Sequence, residues 1–139
     1  MGKKRTEGEP DLLVKITEVL EGFPQVLFST LFGSAAKGRM TVGSDVDIAV
    51  AAHESLSVES RGELASALSL GLGREVDLID LQAVSGLIFE QALCTGKIVK
   101  NADHDLYASL LKRLWYDQAD MMPYYRRILE QRNSQWLQQ

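Results

Sequence analysis

What most constrains this chain is the way strand-like runs alternate with helical ones. "QVLFSTLFGS" is β-branched and aromatic and closes on a Gly-Ser turn, so it predicts a strand from about 25 to 32. "DVDIAVAA" and "REVDLIDL" predict two more strands. Between these two, "SVESRGELASALSLGLG" places Val58, Leu64, Leu68 and Leu70 in loose helical register, with Gly71 and Gly73 to end it. Upstream, "DLLVKITEVLEG" has Leu12, Leu13, Ile16, Val19 and Leu20 at helical spacing, with Asp11 as N-cap and Gly22 as the stop. Downstream, "SGLIFEQALCTG" predicts a helix ending at Gly96, and "KIVK" a short fourth strand. The order helix, strand, strand, helix, strand, helix favours α/β over an all-β reading. It predicts an α/β fold with a small mixed sheet and flanking helices.

From Ala102 the texture is helical throughout. Leu106, Leu110, Leu111, Leu114 and Trp115 fall on one face, and a second stretch carries Tyr125, Ile128, Leu129 and Trp136 beyond Pro123. The organisation expected is a disordered N-terminus over 1–10, a core over 11–101, and a C-terminal helical extension over 102–139 packed on that core. A length of 139 residues suits one domain whose core needs no disulfide or metal to hold it. The net charge of -4 gives no general attraction for nucleic acid or for an anionic membrane. The one cysteine, Cys94, excludes an internal disulfide, and its apolar neighbours in "FEQALC" predict a buried thiol. The polar start "MGKKRTEGEP" has no apolar signal core, and no run reaches the length of a membrane span. Together these features suit a cytoplasmic protein.

The chemistry concentrates in "GSAAKGRMTVGSDVDIAV". Strand alternation puts Asp45 and Asp47 on one face and Val46, Ile48 and Val50 on the other. Two residues of strand separate such carboxylates by roughly 6–7 Å. At an effective dielectric near 20 they repel by about 2.5 kcal/mol. A fold that keeps both ionised needs water or cations over that face. A pair of Mg²⁺ ions would suit, because a hard cation prefers carboxylate oxygens. A bare Asp-x-Asp is also what an exposed strand edge carries to block aggregation.

Gly33-Ser34 narrows the choice. It follows a strand and opens a possible helical turn, a geometry that presents N–H groups and a hydroxyl to a phosphate; alone it would serve equally as an ordinary turn. Lys37 and Arg39 in the connecting loop either neutralise phosphate charge or simply meet solvent. A third acid comes from "REVDLID", where Asp77 lies in mid-run between Val76 and Leu78. Of Glu75, Asp77 and Asp80, it is the one a surface explains least. His53 and His104 lie far apart and, with one cysteine, form no zinc pattern.

Gly33-Ser34, ten residues, Asp45-Val46-Asp47, then Asp77 on a later strand resembles the signature of the nucleotidyltransferase superfamily of the DNA polymerase β type. The small size makes it most similar to the minimal nucleotidyltransferases, whose members often serve as antitoxins to HEPN-domain RNase toxins. The resemblance covers roughly residues 20 to 100. It implies that the Gly33 backbone and Ser34 hold the β- and γ-phosphates of ATP, with Lys37 as a further phosphate contact. It implies that Asp45 and Asp47 bind two Mg²⁺ ions, and that Asp77 completes the second metal site and helps deprotonate the attacking hydroxyl. The activity implied is transfer of AMP from ATP to a tyrosine of a HEPN toxin. Two alternatives stay open: an antitoxin that acts by binding alone, and a transferase for a small hydroxylated molecule. The C-terminal helices are the candidate surface for a partner.

Overall fold

The computed structural model describes residues 9–33, 36 and 45–120. In chain order these form α1 (Glu9–Leu20), β1 (Phe28–Phe32), β2 (Val46–Ala51), α2 (Val58–Leu72), β3 (Val76–Asp80), α3 (Leu87–Glu90), a π-helical turn (Gln91–Thr95), β4 (Lys97–Asn101) and α4 (His104–Asp120). The four strands make one sheet in the order β3-β2-β1-β4. β1 runs antiparallel to β2 and β4, and β2 runs parallel to β3, so the sheet is mixed as expected. A parallel pair needs a crossover, and α2 supplies it.

Helices cover both faces. On one, Val46, Ile48 and Val50 of β2 and Leu31 of β1 pack on Leu12, Ile16 and Leu20 of α1 and on Leu64, Leu68 and Leu72 of α2. On the other, Phe28, Phe32, Ala49 and Ala51 meet Phe89, Ala92 and Leu93, with Leu106, Leu110 and Leu114 of α4. The alternation along β2 therefore sends alternate side chains into two separate clusters. α4 is fastened by more than apolar contact. Tyr107 stacks on Phe28 at 4.9 Å between ring centroids. The Arg113 guanidinium lies over the Phe89 ring and donates to the carbonyls of Leu81 at 2.6 Å and Val84 at 2.8 Å.

Several local expectations are corrected. α1 begins at Glu9, so Asp11 lies inside its first turn and does not cap it. In α2 the inward stripe is Leu64, Leu68 and Leu72, while Val58 and Leu70 are 82% and 85% exposed. A true i, i+4 stripe excludes both. Ser57 caps this helix by accepting from the Ser60 N–H at 3.0 Å, and Gly73, at φ 66°, ends it. Gly71 stays helical; a Cβ there would come within 2.6 Å of Val19 Cγ2, so it lets α1 and α2 approach closely. In α4, Trp115 is 73% exposed, because it lies about 100° round the helix from Leu114. The Cys94 thiol is exposed, not buried. Ala92 and Leu93 lie three and four residues beyond the buried Phe89 and point inward with it, and Cys94 points out. Partial burial and then the neighbouring Glu90 carboxylate push the thiol up from its ordinary range, so this cysteine is not activated. The second C-terminal stretch, with Pro123, Tyr125, Ile128, Leu129 and Trp136, lies outside the described residues.

Candidate active site

The acids meet at one end of the sheet. Asp47 is the second residue of β2, and across the sheet its partners are Phe32 on β1 and Asp77 on β3. Residues opposite one another share a face, so both carboxylates lie on the side of Ala49 and Ala51. Asp45 stands exposed just ahead of β2. Asp47 and Asp77 thus come from two strands and are joined by the β2–β3 register, not by proximity in sequence, with Asp45 next to them at the entry to β2. Asp77 is exposed, although its place in mid-run between Val76 and Leu78 is one that a surface position explains least.

Gly33 follows directly on β1 with φ 74°. A Cβ at this position would collide with the Asp47 carboxylate, so only glycine leaves that carboxylate its place. Ala36, in the turn beyond, is buried in the first cluster and ties this end of β1 to the core. Ser34, Lys37, Arg39 and Ser44 lie outside the described residues.

The electrostatics fit a cation-binding role. The Asp47 carboxyl is pushed up from its ordinary value of 3.8, first by burial, then by Asp77, then by Asp45. Opposite charge over the trio would relieve all three acids. Among the described residues, no group of three or more His, Cys, Asp or Glu side chains is placed to hold a metal ion by itself. Mg²⁺ does not require one, since it is usually held by one or two carboxylates with phosphate oxygens and water completing six positions. The donor set is therefore of the right chemistry for a nucleotide-borne metal.

Two features escaped the sequence reading. Asp80 is 2% exposed, and its carboxylate accepts from the N–H groups of Leu56 at 2.7 Å and Gln82 at 2.9 Å. It pins the loops at the far end of β2 and β3. Its one sequence signal was an acid at a strand end before a turn. Thr30 is fully buried beside Ala49, and its hydroxyl donates to Ala92 O at 2.7 Å, locking the π turn to β1. The histidines stay out of the site: His53 pairs with Asp103 at 3.4 Å, and Asp103 also accepts from the Leu106 N–H at the start of α4.

A mixed sheet with a carboxylate pair at the head of β2, a third acid in register on β3 and a glycine turn against them defines a nucleotidyltransferase. The chain belongs to the polymerase β-type nucleotidyltransferase family, whose pattern, described as "Polymerase beta, Nucleotidyltransferase", matches residues 14–105. Among particular proteins, it is 36% identical over 92 residues to the protein adenylyltransferase MntA of Shewanella oneidensis. The matched segment is 66% of this chain and 66% of that relative, just under two-thirds of its length. Two solved structures share its fold. One, a toxin–antitoxin with AMP-PNP, superimposes with a TM-score of 0.67 at 29% identity, over 84% of this chain and 98% of that one. The other, a tri-AMPylated Shewanella oneidensis HEPN toxin in complex with an MNT antitoxin, gives 0.63 at 26% identity, over 87% and 98%. No described helix is long and apolar enough to cross a membrane.

Proposed function

We propose that this chain is a Mg²⁺-dependent antitoxin that transfers AMP from ATP to a tyrosine of a cognate HEPN toxin inside the cytoplasm. The observation that carries this reading is the Asp47–Asp77 register beside Gly33, in a chain related to an adenylyltransferase named for that chemistry. In this reading the tyrosine oxygen forms a bond to the α-phosphorus of ATP. The bond from that phosphorus to the bridging oxygen breaks, and pyrophosphate leaves. Asp77 stands at the exposed side, where an acceptor arrives, and takes the hydroxyl proton. Asp45 and Asp47 hold the metal-binding position. The Gly33 backbone, Ser34 and Lys37 hold the β- and γ-phosphates. Two bound Mg²⁺ ions would stabilise charge on the attacking and leaving oxygens. The protein's own contribution is orientation and fixed charge, which is most of what phosphoryl-type transfer requires.

The test is intact mass of the HEPN partner incubated with ATP and Mg²⁺, for wild type and for Asp45→Asn/Asp47→Asn. AMP added by the wild type alone is the expected result. A partner neutralised equally by both proteins, with no added mass, would replace the transferase with an antitoxin acting by binding. AMP appearing on a small hydroxylated molecule and not on protein would select the third reading.

A further inference from the structure

The sheet has two edges, and they are built differently. β4 carries Lys97 and Lys100, and its pairing with β1 is broken by an irregularity between Ser29 and Thr30. Lysines and bulges are the ordinary means of keeping a strand edge from recruiting another strand. β3 has none of these. Its sequence, "VDLID", has no lysine and no proline, and its register with β2 runs unbroken from Val76 to Asp80. Asp80 guards nothing, because its carboxylate is buried against Leu56 and Gln82. The remaining charge on β3 is Asp77, a member of the active site. Among the described residues nothing pairs with the outer side of β3.

The ladder shows which backbone groups are free there. Val46 N donates to Glu75 O, and Leu81 N donates to Val50 O. In a parallel ladder alternate residues bond to the same neighbour, so Asp77 and Ile79 also turn their N–H and C=O toward β2. Val76, Leu78 and Asp80 therefore turn theirs outward; Asp80 O already accepts from the Ala83 N–H at 2.9 Å, so the edge is open at Val76 and Leu78. Leu78 is in the middle, next to Asp77.

We propose that the outer edge of β3 is where the acceptor protein docks, with an extended segment pairing as an added strand so that its tyrosine lies beside Asp77. This rests on the transferase reading given above. An added strand lies about 4.8 Å from its neighbour, with side chains alternating between the two faces. One residue thus stands on the face of Asp47 and Asp77. Its two neighbours stand on the face of Val76 and Leu78, which are part-buried against the first core cluster. That alternation defines the substrate class: a tyrosine with an apolar residue on each side. Glu75 and Asp45 are exposed at the same end as Asp77, so the segment is neutral or basic. The edge supplies affinity through main-chain hydrogen bonds, and the flanking side chains supply choice.

The experiment is amide hydrogen exchange of the full chain, resolved at Leu78 and Ile79, with and without the HEPN partner and without ATP. Docking at this edge slows exchange at Leu78 at least tenfold and leaves Ile79, already bonded to β2, unchanged. No slowing at Leu78 overturns the proposal. So does slowing that grows with the concentration of this chain alone, since the edge would then pair with a second copy. A second measurement compares Leu78→Pro with Leu78→Ala. Both lose the leucine's branched end, but only proline removes the outward N–H. The expected difference is a KM for the partner at least tenfold higher in the proline variant, with KM for ATP equal. Equal KM for the partner in the two variants overturns the proposal. Slowed exchange at Leu78 in a wild type that transfers no AMP would keep the docking edge and remove the transferase; transfer without slowing would do the reverse.

Discussion

Gly33 and Asp47 compete for the same space, and this makes both sensitive to small changes. Gly33→Ala meets two penalties: the left-handed backbone at φ 74°, worth about 1–2 kcal/mol, and the Asp47 carboxylate in the way of the new methyl group. The expected outcome is a lowered urea midpoint and, under the proposed transferase role, at least a hundredfold loss of AMP transfer as the Asp47 carboxylate is displaced. Asp47 itself works against the fold when no cation is bound. Its folded pKa is raised above 3.8, so between 3.8 and the raised value the folded state holds more protons than the unfolded one. The penalty is complete above the folded pKa and vanishes below 3.8. Asp47→Asn is therefore expected to raise the metal-free Tm at neutral pH, by an amount that shrinks to nothing as pH falls below that window. Thermal melts in chelator across that range check the sign.

At the scale of elements, β3 shows why one acid was legible in the sequence and another was not. Asp77 stood out because a charge in mid-strand between Val76 and Leu78 has no surface explanation, and alternation alone assigned its face. Asp80, three residues on, carries no such signal, because its role depends on the loops after β2 and β3, which come together only in three dimensions. The two acids should separate cleanly. Asp80→Ala leaves two amides without their charged acceptor and is expected to cost about 3 kcal/mol in denaturant unfolding. Asp77→Asn, on an exposed side chain, should change stability by less than about 0.5 kcal/mol while abolishing transfer. The order and type of the helices and strands were legible because β-branched runs and Gly stops are local signals. Which helical residues face inward was less so. Val58, Leu70 and Trp115 are apolar, lie on real helices and still face solvent. Cys94 was misread because apolar neighbours in sequence say nothing about direction: Phe89, Ala92 and Leu93 take the inward side and leave the thiol outside.

At the scale of the whole molecule, the sheet is a wall with a core on each side, and α4 closes the second. Leu106, Leu110 and Leu114 join Phe28 and Phe89 in one buried cluster, and Arg113 and Tyr107 fasten the helix over them. Burying three leucines contributes about 6 kcal/mol, comparable with the entire stability of a small domain. A chain ending at Asn101 is therefore expected to lose its cooperative thermal transition and to bind an apolar dye, as read by calorimetry and fluorescence. Side-chain type alone could not reveal this dependence, because a helix that follows a complete α/β pattern reads equally well as an appendage.

The in-register meeting of Asp47 with Asp77 also bears on timing. The chain between them includes the whole of α2, so a ribosome must release β3 before the two carboxylates can face each other. Until then the nascent protein carries the acid of β2 without its partner on β3. Proteolytic pieces ending before Val76 are in the same position. The meeting of the two carboxylates waits on closure of one parallel crossover, and contacts of that kind are among the slower ones a small domain makes.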